Sequence, residues 1–283
     1  MLGSLSAELL KIRKRWAIRS LVVIFVLILV LLSYVLPYTI YKNPPPRFGQ
    51  DLPRGTTLAN LLSALYPPNF HRVALSGAGG LGSAVAIILG VLAAGSEYGW
   101  GTYKTIFTQK PSRLTVWLAK SLALVVVSLF LAVVAMGAAA ATSAVLATLD
   151  GQTMSWPDAW TVFKATAAEW LILVVWTGFG VVLAVLSQQS ALAIGIGLVY
   201  GFVVEGIIFG LFGTNPTLQN FEKFFPGANV TALADAFGPP IRGRFGGGRA
   251  ALVEPTQAVI VLVAFAAAFL VISSILIVRR DQV

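Results

Sequence analysis

Six apolar runs, each about 20 residues or longer, constrain this chain more than any other feature. They lie at approximately 17–36, 73–94, 118–146, 166–186, 191–212 and 256–278. A helix rises about 1.5 Å per residue, so about 20 apolar residues cross about 30 Å of hydrocarbon. Inside lipid a backbone must satisfy its own hydrogen bonds, and a helix does so within a single segment. The expected fold is therefore an all-α integral membrane protein with six transmembrane helices, forming one domain over 1–283. Composition agrees, since 57% of the 283 residues are hydrophobic and 11% are charged, which leaves too little polar surface for a water-soluble domain.

The first run follows Lys11, Arg13, Lys14 and Arg15, as a signal peptide would. Its apolar stretch is too long for one, and no small-x-small cleavage site follows Leu36, so it reads as a retained span. The third run is long enough to tilt or to extend beyond the bilayer. Basic residues set the orientation. Lys11, Arg13, Lys14, Arg15, Arg19, Lys104, Lys110, Arg113, Lys120, Arg279 and Arg280 fall on the side of the N-terminus, where acidic residues are few. On the other side Lys and Arg are nearly balanced by Asp and Glu. The excess places the N-terminus in the cytoplasm, and six crossings return the C-terminus there. A multi-pass protein of a bacterial inner membrane is expected.

The net charge of +9 could serve a nucleic-acid binder, but the basic residues flank apolar runs instead of forming a soluble basic face. No nucleic-acid partner is expected. The chain has no Cys and one His, His71, which excludes disulfides, thiolate chemistry and a histidine metal cluster within one copy. Phosphate-loop, zinc-protease and nucleophile-elbow motifs are all missing, so the chain is not expected to be an enzyme or to hold a cofactor. Gly77, Gly79 and Gly82 spell a dinucleotide fingerprint, but without a preceding strand they read as close helix packing or a helix start.

Four segments could carry function. Residues 4–16 place Leu5, Leu9, Ile12 and Trp16 on one helical face, as an amphipathic helix on the inner leaflet would; a basic leader that only sets topology is the alternative. The connection 96–113 is too long for a simple turn and mixes aromatic with basic residues. It could present a short helix to a partner or lay its Lys and Arg on lipid phosphates. Glu205 is the acidic residue read as deep inside a span, Glu169 being counted with the outer end of the fourth run. A substrate-path or relay role and an interhelical hydrogen bond remain open for it. Gly197 with Gly201, and Gly206 with Gly210, form small-xxx-small pairs that suit a helix interface. The outer stretch 214–240 suits two short helices at or dipping into the interface, and the Arg242, Arg244 and Arg249 cluster beyond it has no assignment.

The arrangement Glu97-Tyr98, Gly101-Thr102, Lys110-Pro111-Ser112-Arg113 and Lys120 resembles the acidic, Gly-Thr and Pro-Ser-Arg pattern of ABC-2 type ATP-binding cassette permeases, in the antibiotic and multidrug exporter branch. The likeness extends over nearly the whole chain: a basic leading helix, six spans, a cytoplasmic loop after the second and a long outer segment before the sixth. It implies that Glu97, Tyr98, Gly101, Thr102, Lys104, Lys110, Pro111, Ser112 and Arg113 belong to a coupling helix docking on a separate cytoplasmic ATPase, which would bind the ATP and Mg. Gln188 and Gln189 would make a smaller second contact. It also implies a dimer of two permeases with two ATPases, with Gly197, Gly201, Glu205, Gly206 and Gly210 at the seam or the substrate path. Segment 214–240 would supply re-entrant gate helices. An ion-gradient carrier using Glu205, or a non-transporting anchor or sensor subunit, stand as the alternatives. The apolar spans lean toward an amphipathic or lipid-like cargo.

Overall fold

The computed structural model describes residues 2–46, 48, 57–101, 112–208, 215–238 and 251–279. Every regular element among them is helical. Ten helices are named in chain order: α1 (Leu2–Lys14), α2 (Trp16–Lys42), α3 (Leu58–Ser63), α4 (Pro67–Gly99), α5 (Arg113–Leu149), α6 (Ala159–Ser187), α7 (Ser190–Ile207), α8 (Pro216–Glu222), α9 (Pro226–Asp235) and α10 (Pro255–Arg279). Six of them, α2, α4, α5, α6, α7 and α10, are long and apolar enough to cross a membrane. The chain is an all-α, multi-pass membrane protein.

Several spans outrun their apolar cores. The first was expected to end near Leu36, yet α2 continues to Lys42 through Pro37. Proline removes one amide donor and crowds the preceding turn. A π-helical turn at Leu31–Val35 lies immediately before it, widening the ladder where an unbroken α-helix would be blocked. At 37 residues α5 is about 55 Å long, well beyond the hydrocarbon thickness. Prolines open α4, α8, α9 and α10, using the position where the missing amide costs least. Side chains close other ends. Ser112 accepts from the Thr115 amide at the start of α5, and Asp158 accepts from the Thr161 amide (2.9 Å) at the start of α6.

The core lies between α4 and α6, whose apolar windows are 61% and 56% buried, against 22% for α2, 17% for α10 and 11% for α7. Glycine makes the central pair close. An added Cβ on Gly90 would collide with the Thr177 carbonyl, and one on Gly180 with the Ile87 carbonyl, so the backbones meet directly. Gly77 and Gly79 pack in the same manner, their missing Cβ positions lying 3.0 Å from Leu29 and Val230. The fingerprint glycines are thus helix-packing positions inside α4. From Pro67 to Gly79 is about 18 Å along the helix, so α9, which brings Val230 to Gly79, reaches well down the bundle from the face opposite α1.

Two sequence expectations change here. Leu5, Leu9 and Ile12 do share a face, and it packs on the protein core; Trp16, expected on that face, is 79% exposed. Glu169 lies well inside α6 and is fully buried, so Glu205 is not alone as an acidic residue within a span.

Candidate functional site

On the face that carries α1, the ends of three helices are held together by charge. Glu8 comes from α1, Glu97 from the last turn of α4, and Lys120 from the second turn of α5. Each sits there for a local reason: Glu8 lies between Leu5 and Ile12 on the face α1 turns to the bundle, and Lys120 lies beside Trp117 and Ala119 on the buried side of α5. The Lys120 ammonium donates to Glu8 Oε2 (2.7 Å), Glu97 Oε1 (2.8 Å) and the Ala93 carbonyl (3.3 Å), which uses all three of its protons. Lys11 adds a second cation, 2.6 Å from Glu8 Oε1 and 3.3 Å from Glu97 Oε1. The side chains of Lys120, Glu97 and Glu8 are 3%, 2% and 6% exposed. Two carboxylates and two ammonium groups balance in charge, which is what makes such burial tolerable.

Arg15 extends the node to the junction of α1 and α2. It donates to the Leu92 carbonyl (3.0 Å) and to Ser96 Oγ (2.7 Å), and its guanidinium lies 4.8 Å from the centre of the Trp100 ring. A cation at the carboxyl end of α4 also meets the negative end of that helix dipole. Burial alone would raise the Glu8 pKa, but the Lys120 charge, with hydrogen bonds from Lys11 and Lys120, holds it below its ordinary value. Burial likewise would lower that of Lys11, and the Glu8 hydrogen bond with the Glu97 charge raises it instead.

The opposite face has a smaller counterpart. Asp150, just past the end of α5, accepts from Lys42 Nζ (2.6 Å), Tyr66 Oη (2.7 Å) and Tyr38 Oη (2.9 Å). Desolvation would raise its pKa, but the Lys42, Tyr66 and Tyr38 hydrogen bonds hold it low. Tyr66, desolvated and bonded to that carboxylate, is pushed up to about 12. The chain is therefore pinned by charge at both ends of α5: to α1 and α4 on one face, to α2 and the α3–α4 connection on the other.

The residues read from the sequence for coupling distribute around the first node. Glu97 is inside it. Tyr98 is half-buried against the core, Gly101 lies two residues past the end of α4 in the left-handed region (φ +65°), Ser112 caps α5, and Arg113 opens that helix. Thr102, Lys104, Lys110 and Pro111 lie outside the described residues, as do Gly210 and the Arg242, Arg244 and Arg249 cluster. Gln188 (φ 54°) and Gln189 form the exposed tight turn between α6 and α7. Gly197 packs on Ile87 and Leu183 within the chain, whereas a Cβ on Gly201 would meet open space. Glu205 accepts from Tyr200 Oη (2.9 Å) and from the Gly227 amide. Sequence reading missed Lys11 as a partner of Glu97, Glu8 as the second carboxylate on Lys120, and Arg15 as the clamp on Ser96 and Trp100. The available signal was an acidic residue set into an apolar helix stripe with a lysine three positions on. Among the described residues no three His, Cys, Asp or Glu side chains come together as a metal site requires.

The profile of a family described as "Protein of unknown function (DUF2705)" matches residues 59–283, most of the chain. The chain belongs to this family. The matched part of this DUF2705 protein contains Glu97 and Lys120, while Glu8, Lys11 and Arg15 precede it. No curated protein matches the chain.

Proposed function

We propose that this DUF2705 protein is the membrane-spanning subunit of an ABC-2 type exporter, moved by a separate cytoplasmic ATPase and carrying an amphipathic or hydrophobic cargo outward. The observation that carries the reading is the ionic node. The connection 100–112 leaves α4 within one turn of Glu97 and enters α5 two turns before Lys120, so both of its ends are joined to the same buried charges. A displacement applied to that connection by a partner passes at once to α4, α5 and α1. An isolated loop would dissipate it. ATP and Mg belong to the partner in this reading, and the face carrying α1 is cytoplasmic, in a bacterial inner membrane. The apolar faces left uncovered on α7, α10 and α2 are what lipid and a second copy of the chain would cover.

The test is co-purification from native membranes followed by an ATPase assay. A tagged wild-type chain is expected to bring down nucleotide hydrolysis, and substituting Gly101 or Arg113 is expected to abolish it while membrane insertion persists. A fully inserted chain that never yields ATPase activity, or retains it in both variants, contradicts the reading. One observation favours a second reading, an ion-gradient carrier: two carboxyl groups, Glu169 and Glu205, lie within spans. That reading requires gradient-driven flux in vesicles holding this chain alone, lost in Glu205→Gln.

A further inference from the structure

The start of α9 lacks a local cap. Its preceding residue, Phe225, has no side-chain oxygen to offer, and Pro226 at the first helical position has no amide. Gly227 is then the first residue of α9 with an unsatisfied backbone donor, at the positive end of the helix dipole. The acceptor arrives from another helix: the Gly227 amide bonds the carboxyl group of Glu205, in the π-helical second half of α7. The fit leaves no room for a side chain, because a Cβ on Gly227 would collide with Glu205 Oε2. The other oxygen, Oε1, accepts from Tyr200 Oη at 2.9 Å. Tyr200 is itself held by its ring, 5.0 Å from Phe179 and 6.3 Å from Trp176 between centroids.

The rest of the outer pair is fastened elsewhere. Asn229, fully buried, donates to the Lys223 and Phe225 carbonyls (2.9 and 2.8 Å) and fixes the turn between α8 and α9. Along its length α9 packs on α10, α4 and α6, with Val230 against Gly79. The hydrogen-bonded tie to α7 is Glu205. Tertiary capping of this kind is reversible at small cost, since a helix end freed into water exchanges one acceptor for another. π-helical segments recur at functional positions for a related reason: their ladder is already widened and tolerates rearrangement.

We propose that Glu205 is a latch, a positioning residue that holds the α8–α9 pair closed against α7, and that α9 swings from α7 when the carboxyl group leaves the Gly227 amide. The claim concerns this contact and stands apart from whether an ATPase drives the chain. Because the protein has no Cys, single reporters are unambiguous. Ala228→Cys sits at a buried position beside the latch, and Ala236→Cys at an exposed one that serves as reference. In native membranes with a water-soluble maleimide, Glu205→Ala and Gly227→Ala are each expected to speed labelling at residue 228 roughly five-fold, as loss of one net hydrogen bond implies. Labelling at 236 should not change. Glu205→Gln, which keeps the acceptor, is expected to restore the wild-type rate within about two-fold. The Glu205→Ala, Gly227→Ala double variant should label no faster than either single one, since both remove the same contact. Unchanged labelling at 228 in the single variants, or effects that multiply in the double, overturns the latch. Should Glu205→Ala fail to insert, the contrast between Gly227→Ala and Glu205→Gln decides: equal rates in the two overturn it.

Discussion

Replacing Lys120 with Met tests the ionic node at its centre. The two side chains have similar length and volume, so this buried position stays filled and the charge is what changes. Three hydrogen bonds are lost, and Glu97 and Glu8, 2% and 6% exposed, are left facing a thioether. Removing one partner from a buried ion pair costs about 3–5 kcal/mol, because a charge remains without compensation. Lys11 still reaches both carboxylates, at 2.6 and 3.3 Å, and is 38% exposed, so it offsets part of the loss. The expected cost is about 3 kcal/mol, at the lower end of that range. For a chain of this size that is roughly a 6–12 °C fall in midpoint at about 2–4 °C per kcal/mol. Thermal unfolding in lipid nanodiscs gives the midpoint, and hydrogen exchange shows where protection is lost. The α1 amides should lose protection first, because α1 is tied to α5 through Glu8. Glu97→Leu added to Lys120→Met should cost less than the sum of the single changes, by about 1–3 kcal/mol of coupling. A Lys120→Met midpoint within 1 °C of wild type, or strictly additive changes, would refute the reasoning.

Other consequences are open to simpler measurements. The Glu8 pKa is below its ordinary 4.5, so its stabilisation is present above about pH 4.5 and lost as pH falls through the folded value; Lys11, raised above 10.5, contributes below that pH and loses its contribution only in stronger alkali. Hydrogen exchange of α1 corrected for intrinsic rates should therefore be flat between those limits and rise in acid, and a rise centred near neutrality would contradict the assignment. Gly180→Ala drives a methyl into the Ile87 carbonyl and should destabilise by about 1–3 kcal/mol, while Gly201→Ala, with open space around it, should stay within about 0.5 kcal/mol of wild type. Equal melting of the two variants would dispose of the direct backbone contact between α4 and α6. Glu169 is fully buried, with neither carboxyl oxygen bonded among the described residues. Removing a buried polar group without a partner gains back about 1–3 kcal/mol of desolvation, so Glu169→Leu should melt at or above wild type, and a clear fall in midpoint would show that Glu169 has a partner.

The spans were legible because about 20 apolar residues in lipid leave the backbone no alternative to a helix. Their ends were not. The Pro37 position looks like a stop, and only a π turn at Leu31–Val35 lets α2 pass it; that depends on packing around Tyr34 and has no periodic signature. Small residues were legible in part: Gly77, Gly79 and Gly197 do pack closely, whereas the tightest crossing falls at Gly90 and Gly180, single glycines on two helices whose pairing no one-dimensional spacing encodes. Of the candidate-site residues, Glu97 and Lys120 came into view as parts of the pattern that resembles ABC-2 permeases. Their partner Glu8, 112 positions from Lys120, could be joined to them only by the fold. Leu5, Leu9 and Ile12 were read as a membrane-lying face, yet the same stripe serves equally well against the protein, and the acidic residue set within it was the sign of which.

The central claim is that the connection between α4 and α5 faces the cytoplasm, where a motor can reach it. Trp100, 66% exposed at its start, is the place to ask. A Trp100→Cys variant of this cysteine-free chain should react with a membrane-impermeant maleimide in inverted inner-membrane vesicles and stay unreactive in intact cells. Labelling in intact cells would put the connection on the outer side and contradict the account.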